Sequence, residues 1–293
     1  MRITRRAFLK RTVVTTSSFG AIGVGAFYYA RSVEPAWFDV THQQLSLPRL
    51  SKAFHGYRLV QITDIHADDT FMTAERLAGL VETLNTLNAD LITITGDFVT
   101  VYRPELKATL SHLSKLQAKD GVFGVLGNHD HPAGVEWIRE CLQAGHVQEL
   151  NDKTHTLYRG DQMLHFVGMD DLWPANFGAP VPIWTHLPLL NQLTTSLPAT
   201  GAAILFVHEP DFVDVAASNK RFDLQLSGHS HGGQVRIPLR GPLVLPPLSR
   251  KYPMGLYSVG SMLLYTNRGL GMQPPLYRFN CRPEIAVMDL YAA

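Results

Sequence analysis

The chain has 293 residues, of which 26 are basic and 25 acidic, so its formal net charge is +1 and its length is sufficient for a substantial buried core. Six of the basic residues precede the first acidic residue, Glu34, which leaves 20 basic against 25 acidic residues, a net charge of −5, in the body. Such a body lacks the basic surface of a protein that binds nucleic acid without sequence preference, so we expect no nucleic-acid partner.

The N-terminus has the features of an export signal. Its segment Thr4-Arg5-Arg6-Ala7-Phe8-Leu9-Lys10 resembles the twin-arginine signal, with Thr4 where serine is usual. The uncharged stretch from Thr12 to Ala30 has 19 residues, close to the length that spans a bilayer, and Val24-Gly25-Ala26 resembles a cleavage site. We therefore expect residues 1–31 to be a twin-arginine signal or membrane anchor; the alternative is an ordinary N-terminal helix. The export machinery would be a partner, and the protein would be periplasmic or anchored to the inner membrane.

In the first half of the body, short apolar runs alternate with helical patterns of leucine. Apolar runs of this length predict buried strands, and leucines spaced three or four residues apart predict helices. The predicted strands are 58–63, 91–95 and 122–126, and the predicted helices are 72–88, 105–117 and 135–144. This βαβαβα order predicts a parallel sheet with right-handed crossovers.

The second half of the body is richer in strands. A Pro- and Trp-rich segment, residues 172–190, interrupts the alternation. The predicted strands are 154–158, 163–169, 202–207, 223–226, 257–259, 263–266 and 285–290. Because no repeat or linker divides the body, we expect one domain. Its two cysteines, Cys141 and Cys281, are too far apart for a CxxC motif, and they either pair in an oxidising compartment or remain buried thiols.

Short motifs of metal-binding residue types punctuate the body. They are Asp64-Ile65-His66, Gly96-Asp97, Gly127-Asn128-His129-Asp130, His208 and Gly228-His229-Ser230-His231. All but one lie where a predicted strand ends, which is where open α/β sheets place their chemistry. A mixture of carboxylate, carboxamide and imidazole groups suits two borderline divalent ions.

Individual motifs indicate individual roles. One aspartate can bridge two cations about 3.5–4 Å apart, and the glycine before Asp97 lets the backbone approach a metal or phosphate. Asn128 would supply a neutral oxygen, which keeps the site from becoming too negative for a phosphate anion. The pair His129-Asp130 is typical of acid–base chemistry, in which a carboxylate orients an imidazole.

In this order the motifs resemble those of the calcineurin-like metallophosphoesterases, from about Tyr57 to Leu290. An isolated His208 before Glu-Pro-Asp and the run G-H-S-H-G-G-Q belong to the same pattern. Glu209 is a departure, because relatives often have asparagine there. The nearest resemblance is to bacterial exported or membrane-anchored phosphodiesterases, whose members include a UDP-2,3-diacylglucosamine pyrophosphatase.

The resemblance implies an α/β fold, a four-layer αββα sandwich of two mixed β-sheets flanked by helices, formed by residues 32–293. It also implies that His129 protonates the leaving oxygen or contacts the phosphate, and that Asp130 orients it. It implies seven ligands in two sets that share Asp97: Asp64, His66 and His231 for one ion, and Asn128, His208 and His229 for the other.

These roles predict a dinuclear metal-dependent phosphodiesterase, in which a metal-activated water attacks phosphorus. His129 favours phosphodiester or pyrophosphate substrates, since their poor leaving groups need a proton, and we expect a lipid-linked or nucleotide-linked substrate at the membrane. Manganese is the first choice for both ions, followed by iron, zinc or magnesium. Alternatives are a UDP-2,3-diacylglucosamine pyrophosphatase of lipid A synthesis, a phosphomonoesterase, a nuclease, or a non-enzymatic scaffold, which the complete ligand set argues against.

Four further residues are candidate substrate contacts. His131 directly follows the acid–base pair, although it is also compatible with a plain loop histidine. Arg236 and Arg268 lie in C-terminal loops where they would bind a second phosphate or a lipid head group, or else be solvated. Trp184 belongs to the apolar segment 172–190, which either caps the mouth of the site and meets acyl chains or packs on the protein's own core.

Overall fold

The computed structural model describes residues 23–173 and 181–293. The export motif and residues 12–22 of the uncharged stretch lie outside these ranges. Residues 23–28 are helical, and the helical turns Tyr29–Val33 and Glu34–Ala36 follow them. Among the described residues, none of the helices has the length and apolar content that crossing a bilayer requires.

The first of two six-stranded sheets contains the predicted parallel strands. Across this sheet the order is β1 (Asp39–Leu47), β14 (Glu284–Ala292), β2 (Tyr57–Ile62), β3 (Leu91–Thr95), β4 (Val122–Val125) and β5 (Gln148–Glu149). Strands β2 to β5 are parallel, β14 is antiparallel to β2, and β1 is parallel to β14. The C-terminal strand therefore lies inside the sheet, and the sheet is mixed.

The second sheet is also mixed. Across it the order is β12 (Gly255–Val259), β13 (Met262–Thr266), β9 (Leu224–Ser227), β8 (Ala202–Phe206), β7 (Gln162–Gly168) and β6 (Lys153–Arg159). The four central strands are parallel, and the two edge strands are antiparallel to their neighbours. A separate short hairpin pairs β10 (Arg236–Ile237) with β11 (Gly241–Pro242).

Helices cover the outer face of each sheet. They are α1 (Ala74–Asn85), α2 (Leu106–Leu110) and α3 (Asp130–Ala144) on the first sheet, and α4 (Leu187–Thr195) and α5 (Val213–Asn219) on the second. Between the sheets, the rings of Phe123, Phe166 and Phe206 pack with centroids 5.5 and 5.6 Å apart. The predicted four-layer αββα sandwich is confirmed.

Two of the predicted helices differ in detail from the observed ones. The predicted helix 105–117 is a short α-helix followed by the 3-10 turn Ser111–Lys115. The helix predicted from residue 135 begins at Asp130, with a break at Gly134, whose φ is 104°. This break permits the chain to turn immediately after a motif residue and still continue as a packed helix.

The two sheets bring their carboxyl ends to the same place. Strands β2, β3 and β4 of the first sheet and β8 and β9 of the second all precede one of the polar motifs. Across the interface, the buried Gln61 amide donates hydrogen bonds to Thr95 Oγ1 at 2.9 Å and to the Ser227 carbonyl at 3.0 Å. This bridge sets the relative position of the two sheets beside the polar cluster.

Candidate metal centre

The motif side chains converge at the carboxyl ends of both sheets. Asp97 Oδ2 lies 3.4 Å from His66 Nε2 and 3.2 Å from His208 Nε2. His66 Nε2 also lies 3.1 Å from His231 Nε2. The Asp97 carboxylate therefore stands between imidazoles from two different motifs, which is the position that a bridging carboxylate needs.

Two overlapping triads could each hold a cation: Asp64, His66 and His231 in one, and Asp64, Asp97 and His208 in the other, with ligand atoms within 4.8 Å of one another. Asp64 is the residue common to both triads, whereas the family resemblance implies that Asp97 is the shared ligand. Asp97 Oδ2 is nevertheless the closer oxygen to His208, at 3.2 Å against 4.0 Å from Asp64 Oδ1.

Three buried ligand atoms indicate whether cations fit at this site. Asp64 Oδ1, Asn128 Oδ1 and His208 Nε2 are buried and make no hydrogen bond of normal geometry among the described residues, although His231 Nε2 lies 3.2 Å from Asp64 Oδ1 and Asp97 Oδ2 lies 3.2 Å from His208 Nε2. Buried polar atoms are otherwise almost always paired, and these three belong to motifs that meet at one point. Divalent cations would satisfy all three, so the donor set fits a metal centre.

The backbone at the ligands is unusual. Five ligands have left-handed φ values between 46° and 66°: Asp64, His66, Asp97, His229 and His231. Non-glycine residues rarely adopt this region, and its cost is typically about 1–3 kcal/mol for each residue. Packing and hydrogen bonds therefore hold these turns in place, and each turn ends its strand abruptly with the side chain directed into the site.

Glycines permit the close approach of the motifs. A Cβ added to Gly127 would collide with the Asp97 carboxylate, and one added to Gly228 would collide with Thr63 and Asp64. Larger residues at these two positions would push the ligand loops apart. The glycines of the motifs thus serve the geometry of the ligands directly.

Hydrogen bonds fix which atom of each ligand faces the site. His208 Nδ1 donates to the Thr95 carbonyl at 2.6 Å, which leaves Nε2 as the free nitrogen. His229 Nε2 donates to the Pro247 carbonyl at 2.8 Å, which leaves Nδ1. Asp64 Oδ2 accepts from Thr63 Oγ1 at 2.8 Å, so Oδ1 is the free oxygen. Such outer contacts orient metal ligands and set their tautomers.

Electrostatics prepare the ligands for cations. Burial lowers the pKa of His66 and of His229 to about 3, so both imidazoles are neutral and able to bind metal at neutral pH. Burial also opposes ionisation of Asp97, but His208 and His129 outweigh it, and the pKa of Asp97 falls well below its usual range. In turn, Asp97 raises the pKa of His208 against the effect of burial, and a cation at Nε2 would displace that proton.

The Asp130 carboxylate joins two ligand loops. Its two carboxylate oxygens accept four backbone N–H groups, those of Asp97, Phe98, Val99 and Gly127. Burial and the neighbouring charge of Asp97 raise the pKa of Asp130, whereas the backbone N–H groups that it accepts oppose that rise, as cations at Asp97 would.

His129 lies at the edge of the ligand cluster. Its Nδ1 is 3.2 Å from the Thr100 carbonyl, and its ring centroid is 5.2 Å from that of His66. The Thr100 carbonyl thus contacts this nitrogen, and the orientation of the ring by Asp130 stays a prediction. The ring lines the cleft that leads to the ligands, as a proton donor must.

Two contributors to the site were missed from the sequence. Gln273 Nε2 lies 2.8 Å from both ring nitrogens of His66. The fully buried Arg278 donates to the Arg268, Gly269 and Gly271 carbonyls. No motif marks these two residues, so only the fold reveals them. Trp173 belongs to the apolar segment 172–190, and its ring packs edge-on against His229, with centroids 5.6 Å apart.

A cleft of about 580 Å³ opens above the ligands. Asp97, Asn128, His129, His229 and His231 line its base. Its walls are largely apolar and include Trp173, Val235, Leu243, Val244, Pro246 and Pro274. A phosphate group at the base would therefore have an apolar substituent beside it.

Two of the four candidate substrate contacts are held by other partners. His131 Nε2 lies 2.8 Å from Asp170 Oδ1. Arg268 forms ion pairs with Asp39 and Glu284 at 2.9 and 3.0 Å. Neither belongs to the cleft lining, and their roles as substrate contacts stay predictions.

The remaining two candidates are close to the surface. Arg236 Nη1 donates to the Gly232 carbonyl at 2.6 Å, and its side chain is outside the cleft lining. Trp184 lies in the turn Ile183–His186 and is 66% exposed, so it is not a core residue. Residues 174–180 of the surrounding apolar segment lie outside the described ranges, and a role for Trp184 stays a prediction.

Comparison with known proteins identifies the family. Residues 57–233 match the calcineurin-like phosphoesterase family. The chain belongs to this family. It is thus a metal-dependent phosphoester hydrolase, of a family that uses a dinuclear divalent metal site.

Three relatives match almost the whole chain. An uncharacterized metallophosphoesterase, YkuE of Bacillus subtilis, is 34% identical over 99% of this chain and 98% of its own. The phosphodiesterase YaeI of Escherichia coli is 29% identical over 98% of this chain and 99% of its own. The UDP-2,3-diacylglucosamine pyrophosphatase LpxG of Chlamydia trachomatis is 28% identical over 92% of this chain and 94% of its own. The relatives that match this chain over nine tenths or more of both lengths thus include proteins with phosphodiesterase and pyrophosphatase names.

Proposed function

We propose that the protein is a dinuclear metal-dependent phosphodiesterase that cleaves a phosphodiester or pyrophosphate bond of a lipid-linked or nucleotide-linked substrate. Support comes from the Asp97 carboxylate, whose Oδ2 lies 3.4 Å from His66 Nε2 and 3.2 Å from His208 Nε2. The unpartnered atoms of Asp64, Asn128 and His208 belong to the same cluster, beneath an apolar cleft.

The ligand sets follow from this arrangement. One cation would be held by Asp64, His66 and His231, the other by Asn128, His208 and His229, with Asp97 between them. Manganese is the first choice, since oxygen and imidazole ligands together suit it. When bound, the two cations lower the pKa of a bound water and withdraw charge from the phosphoryl oxygens.

The chain's own residues supply the remaining chemistry. The Thr100 carbonyl at 3.2 Å orients the His129 ring from Nδ1, and His129 lines the cleft, where it would protonate the leaving oxygen. Alkoxide leaving groups of diesters need this proton more than acidic ones do. Gln273, 2.8 Å from His66, holds that imidazole in place and would thereby position the ligand rather than the substrate.

The apolar walls support a substrate with an apolar portion. Val235, Leu243, Val244 and Pro246 form one side of the cleft, where an acyl chain or a nucleobase would be shielded from water. The relative from Chlamydia trachomatis is named for a diacylated sugar nucleotide, which combines both features. We therefore propose an amphiphilic phosphoester as the natural substrate.

Export through the twin-arginine route is also part of the proposal. The Arg5-Arg6 pair, followed by an uncharged stretch, supports a periplasmic or membrane-anchored location. Changing both arginines to lysine is expected to retain the protein in the cytoplasm, because the machinery reads the paired guanidinium groups. Cell fractionation measures this, with Arg2→Lys plus Arg11→Lys as the matched control. An unchanged distribution of the first variant would contradict export by this route.

The enzymatic test compares two aspartates at opposite ends of β3. Metal-loaded protein is expected to hydrolyse bis-p-nitrophenyl phosphate faster than p-nitrophenyl phosphate and to lose this activity in a chelator. Asp97→Asn should remove nearly all activity and lower the metal content, because the bridging charge between two cations is lost. The control is Asp90→Asn, at a buried aspartate before β3. This variant should keep both its activity and its metal content. Two tightly bound ions and a normal rate in Asp97→Asn would refute the assignment of Asp97 as the bridging ligand. If the wild type hydrolysed the monoester faster than the diester, the result would favour a phosphomonoesterase.

A further inference from the structure

A cluster of aliphatic side chains projects into solvent beside the cleft. It belongs to the hairpin formed by residues 235–244, and Ile237, Leu239, Leu243 and Val244 are all exposed, with Leu239 fully so and Val244 at 75%. Single exposed apolar residues are ordinary on protein surfaces, but a contiguous group is typical of a binding surface. The hairpin therefore has an apolar surface with no covering element among the described residues.

Leu239, at the tip of this hairpin, has a backbone conformation that is unfavourable for leucine. Its φ is 66°, a left-handed conformation that glycine or asparagine adopts more readily than leucine. Neither local backbone geometry nor packing within the described chain accounts for a leucine there, since its side chain is fully exposed. A contact outside the chain would account for it.

The exposed surface is continuous with the wall of the metal cleft. Leu243 and Val244 belong to both, and Val235 at the base of the hairpin also lines the cleft. A molecule that covered the hairpin would consequently lie at the mouth of the cleft.

The N-terminal helical segment, residues 23–36, reaches the same place. Its Ala30 carbonyl accepts a hydrogen bond from Arg278 N at 2.9 Å, and the Phe27 and Tyr277 rings pack with centroids 5.3 Å apart. The hairpin is attached to the same loop, residues 273–280, because Arg236 N donates to the Phe279 carbonyl at 2.9 Å. Pro274 and Pro275 of that loop line the cleft. One loop thus joins the N-terminal segment, the hairpin and the cleft.

The N-terminal segment adds its own apolar side chains to this face. Val24, Phe27 and Tyr28 are 71%, 57% and 63% exposed. Residues 23–30, which are part of the uncharged stretch 12–30, thus contribute to this face.

Charge distinguishes the face from an ordinary apolar patch. Residues 224–283 contain seven basic residues and no acidic one; Arg278 among them is buried, and Lys251, Arg268 and Arg282 form ion pairs. Arg236 and Arg240 of the hairpin, and Arg31 of the N-terminal segment, have no salt-bridge partner among the described residues, although Arg31 and Arg236 each donate a hydrogen bond to a backbone carbonyl. Exposed aliphatic side chains beside arginines that lack an acidic partner are complementary to an anionic lipid surface, because the aliphatic groups enter the interface and the arginines meet the head groups.

We infer that the hairpin 235–244 and the N-terminal segment form one face that contacts an anionic bilayer, so that the metal cleft opens directly onto the lipid surface. The delivery of an amphiphilic phosphoester into the cleft rests on the proposed function, but the contact itself does not. Lipid head groups would pair with the arginines, and Leu239 and Val244 would enter the interfacial region. The substrate's phosphoester would then reach the metal ligands without its apolar part crossing water.

A local probe tests the contact without requiring catalysis. Leu239→Cys and Tyr158→Cys are each labelled with a polarity-sensitive nitrobenzoxadiazole group in the metal-loaded full chain; the native cysteines are buried. Tyr158 is 65% exposed and lies beside Arg159, whose guanidinium stacks on Phe54 near the start of β2, at the opposite end of the sheets from the site. It is therefore the matched control.

Vesicles of phosphatidylcholine with phosphatidylglycerol should raise the emission of the label at position 239 about twofold, as expected for transfer into an interface. The gain should be smaller with phosphatidylcholine alone or at high salt, and the label at position 158 should not respond. An unchanged signal at 239 while the protein sediments with the vesicles would overturn the inference. A response to protein concentration without lipid would assign the face to a second copy of the chain instead.

Leu239→Asn supplies an independent functional readout. Asparagine suits the left-handed backbone, so the variant should fold normally. The measured ratio is the rate of hydrolysis of a nitrophenyl alkyl phosphodiester embedded in anionic vesicles, divided by the rate for soluble bis-p-nitrophenyl phosphate. This ratio should fall about tenfold, because the contact of the leucine side chain with the bilayer is lost. Tyr158→Asn should leave the ratio unchanged, and an unchanged ratio in Leu239→Asn would refute the contact. If the wild type hydrolyses neither substrate, the proposed function fails, whereas the fluorescence result is unaffected.

Discussion

Asparagine at position 130 tests whether this carboxylate holds two ligand loops together. In the native protein Oδ1 accepts the backbone N–H groups of Phe98 and Val99, and Oδ2 accepts those of Asp97 and Gly127. An asparagine has the same shape, but its amide nitrogen is a donor, so in either orientation two buried N–H groups face a donor. Each unpaired N–H group costs about 1–3 kcal/mol, so the free energy of unfolding is expected to fall by about 2–6 kcal/mol. That is a large part of a typical unfolding free energy of about 5–15 kcal/mol.

The assay is guanidinium unfolding of the wild type and Asp130→Asn, in a chelator and again with manganese. Asp211→Asn is the control, because Asp211 accepts the backbone N–H groups of Arg250, Lys251 and Tyr252 but is partly exposed, so water can replace the lost bonds. The control should lose no more than about 1 kcal/mol. If the free energy of unfolding fell no more in Asp130→Asn than in the control, and the variant bound metal normally, the Asp130 carboxylate would not be the link between the loops.

Two further predictions concern histidines. His129→Ala should keep its metal content but slow diester hydrolysis by about 10²–10⁴-fold, less for nitrophenol leaving groups; an equal loss for every leaving group would indicate a structural role. The hydrogen bond to Asp170 raises the pKa of His131 above 6.5. Folding therefore gains stability below that pH and loses it as pH rises through the folded value, and Asp170→Asn should flatten the pH profile of the unfolding free energy in that range. A profile as steep as that of the wild type would show that another group causes it.

The central strands were predictable because their sequences are unambiguous. Strands β2, β3 and β4 are short apolar runs that end in polar motifs, and parallel order follows from the helices between them. Strand β1 was missed because its first six residues are partly or fully exposed and its partner β14 comes from the opposite end of the chain. Pairing over such a distance leaves no local pattern. Helix α5 was missed for its brevity.

The ligands were predictable for a related reason. Each lies in a short motif at the end of a strand, so the sequence specifies both the residue type and its place on the sheet. Gln273 has no such motif, and a reciprocal contact positions it: Gln234 Nε2 donates to the Gln273 carbonyl, and Gln273 N donates to Gln234 Oε1, at 2.8 and 2.9 Å. The choice of Asp97 as the shared ligand came from the family resemblance, because the separation of Asp64 and Asp97 from His208 depends on how the two sheets pack.

The place of β14 inside the first sheet has a consequence for biosynthesis. Its residues 284–292 pair with β1 along the full length of that strand and with β2 on the other side, so a segment that is synthesised after all the other described strands completes the middle of the sheet. Until it arrives, β2 has an open edge and β1 has no neighbour to join. An unfinished or truncated chain would expose that edge, which is a template for aggregation and a target for proteases. The sheet that carries Asp64 and Asp97 can therefore close only after residues 284–292 have been synthesised, and a chain that stops before them keeps the β2 edge open.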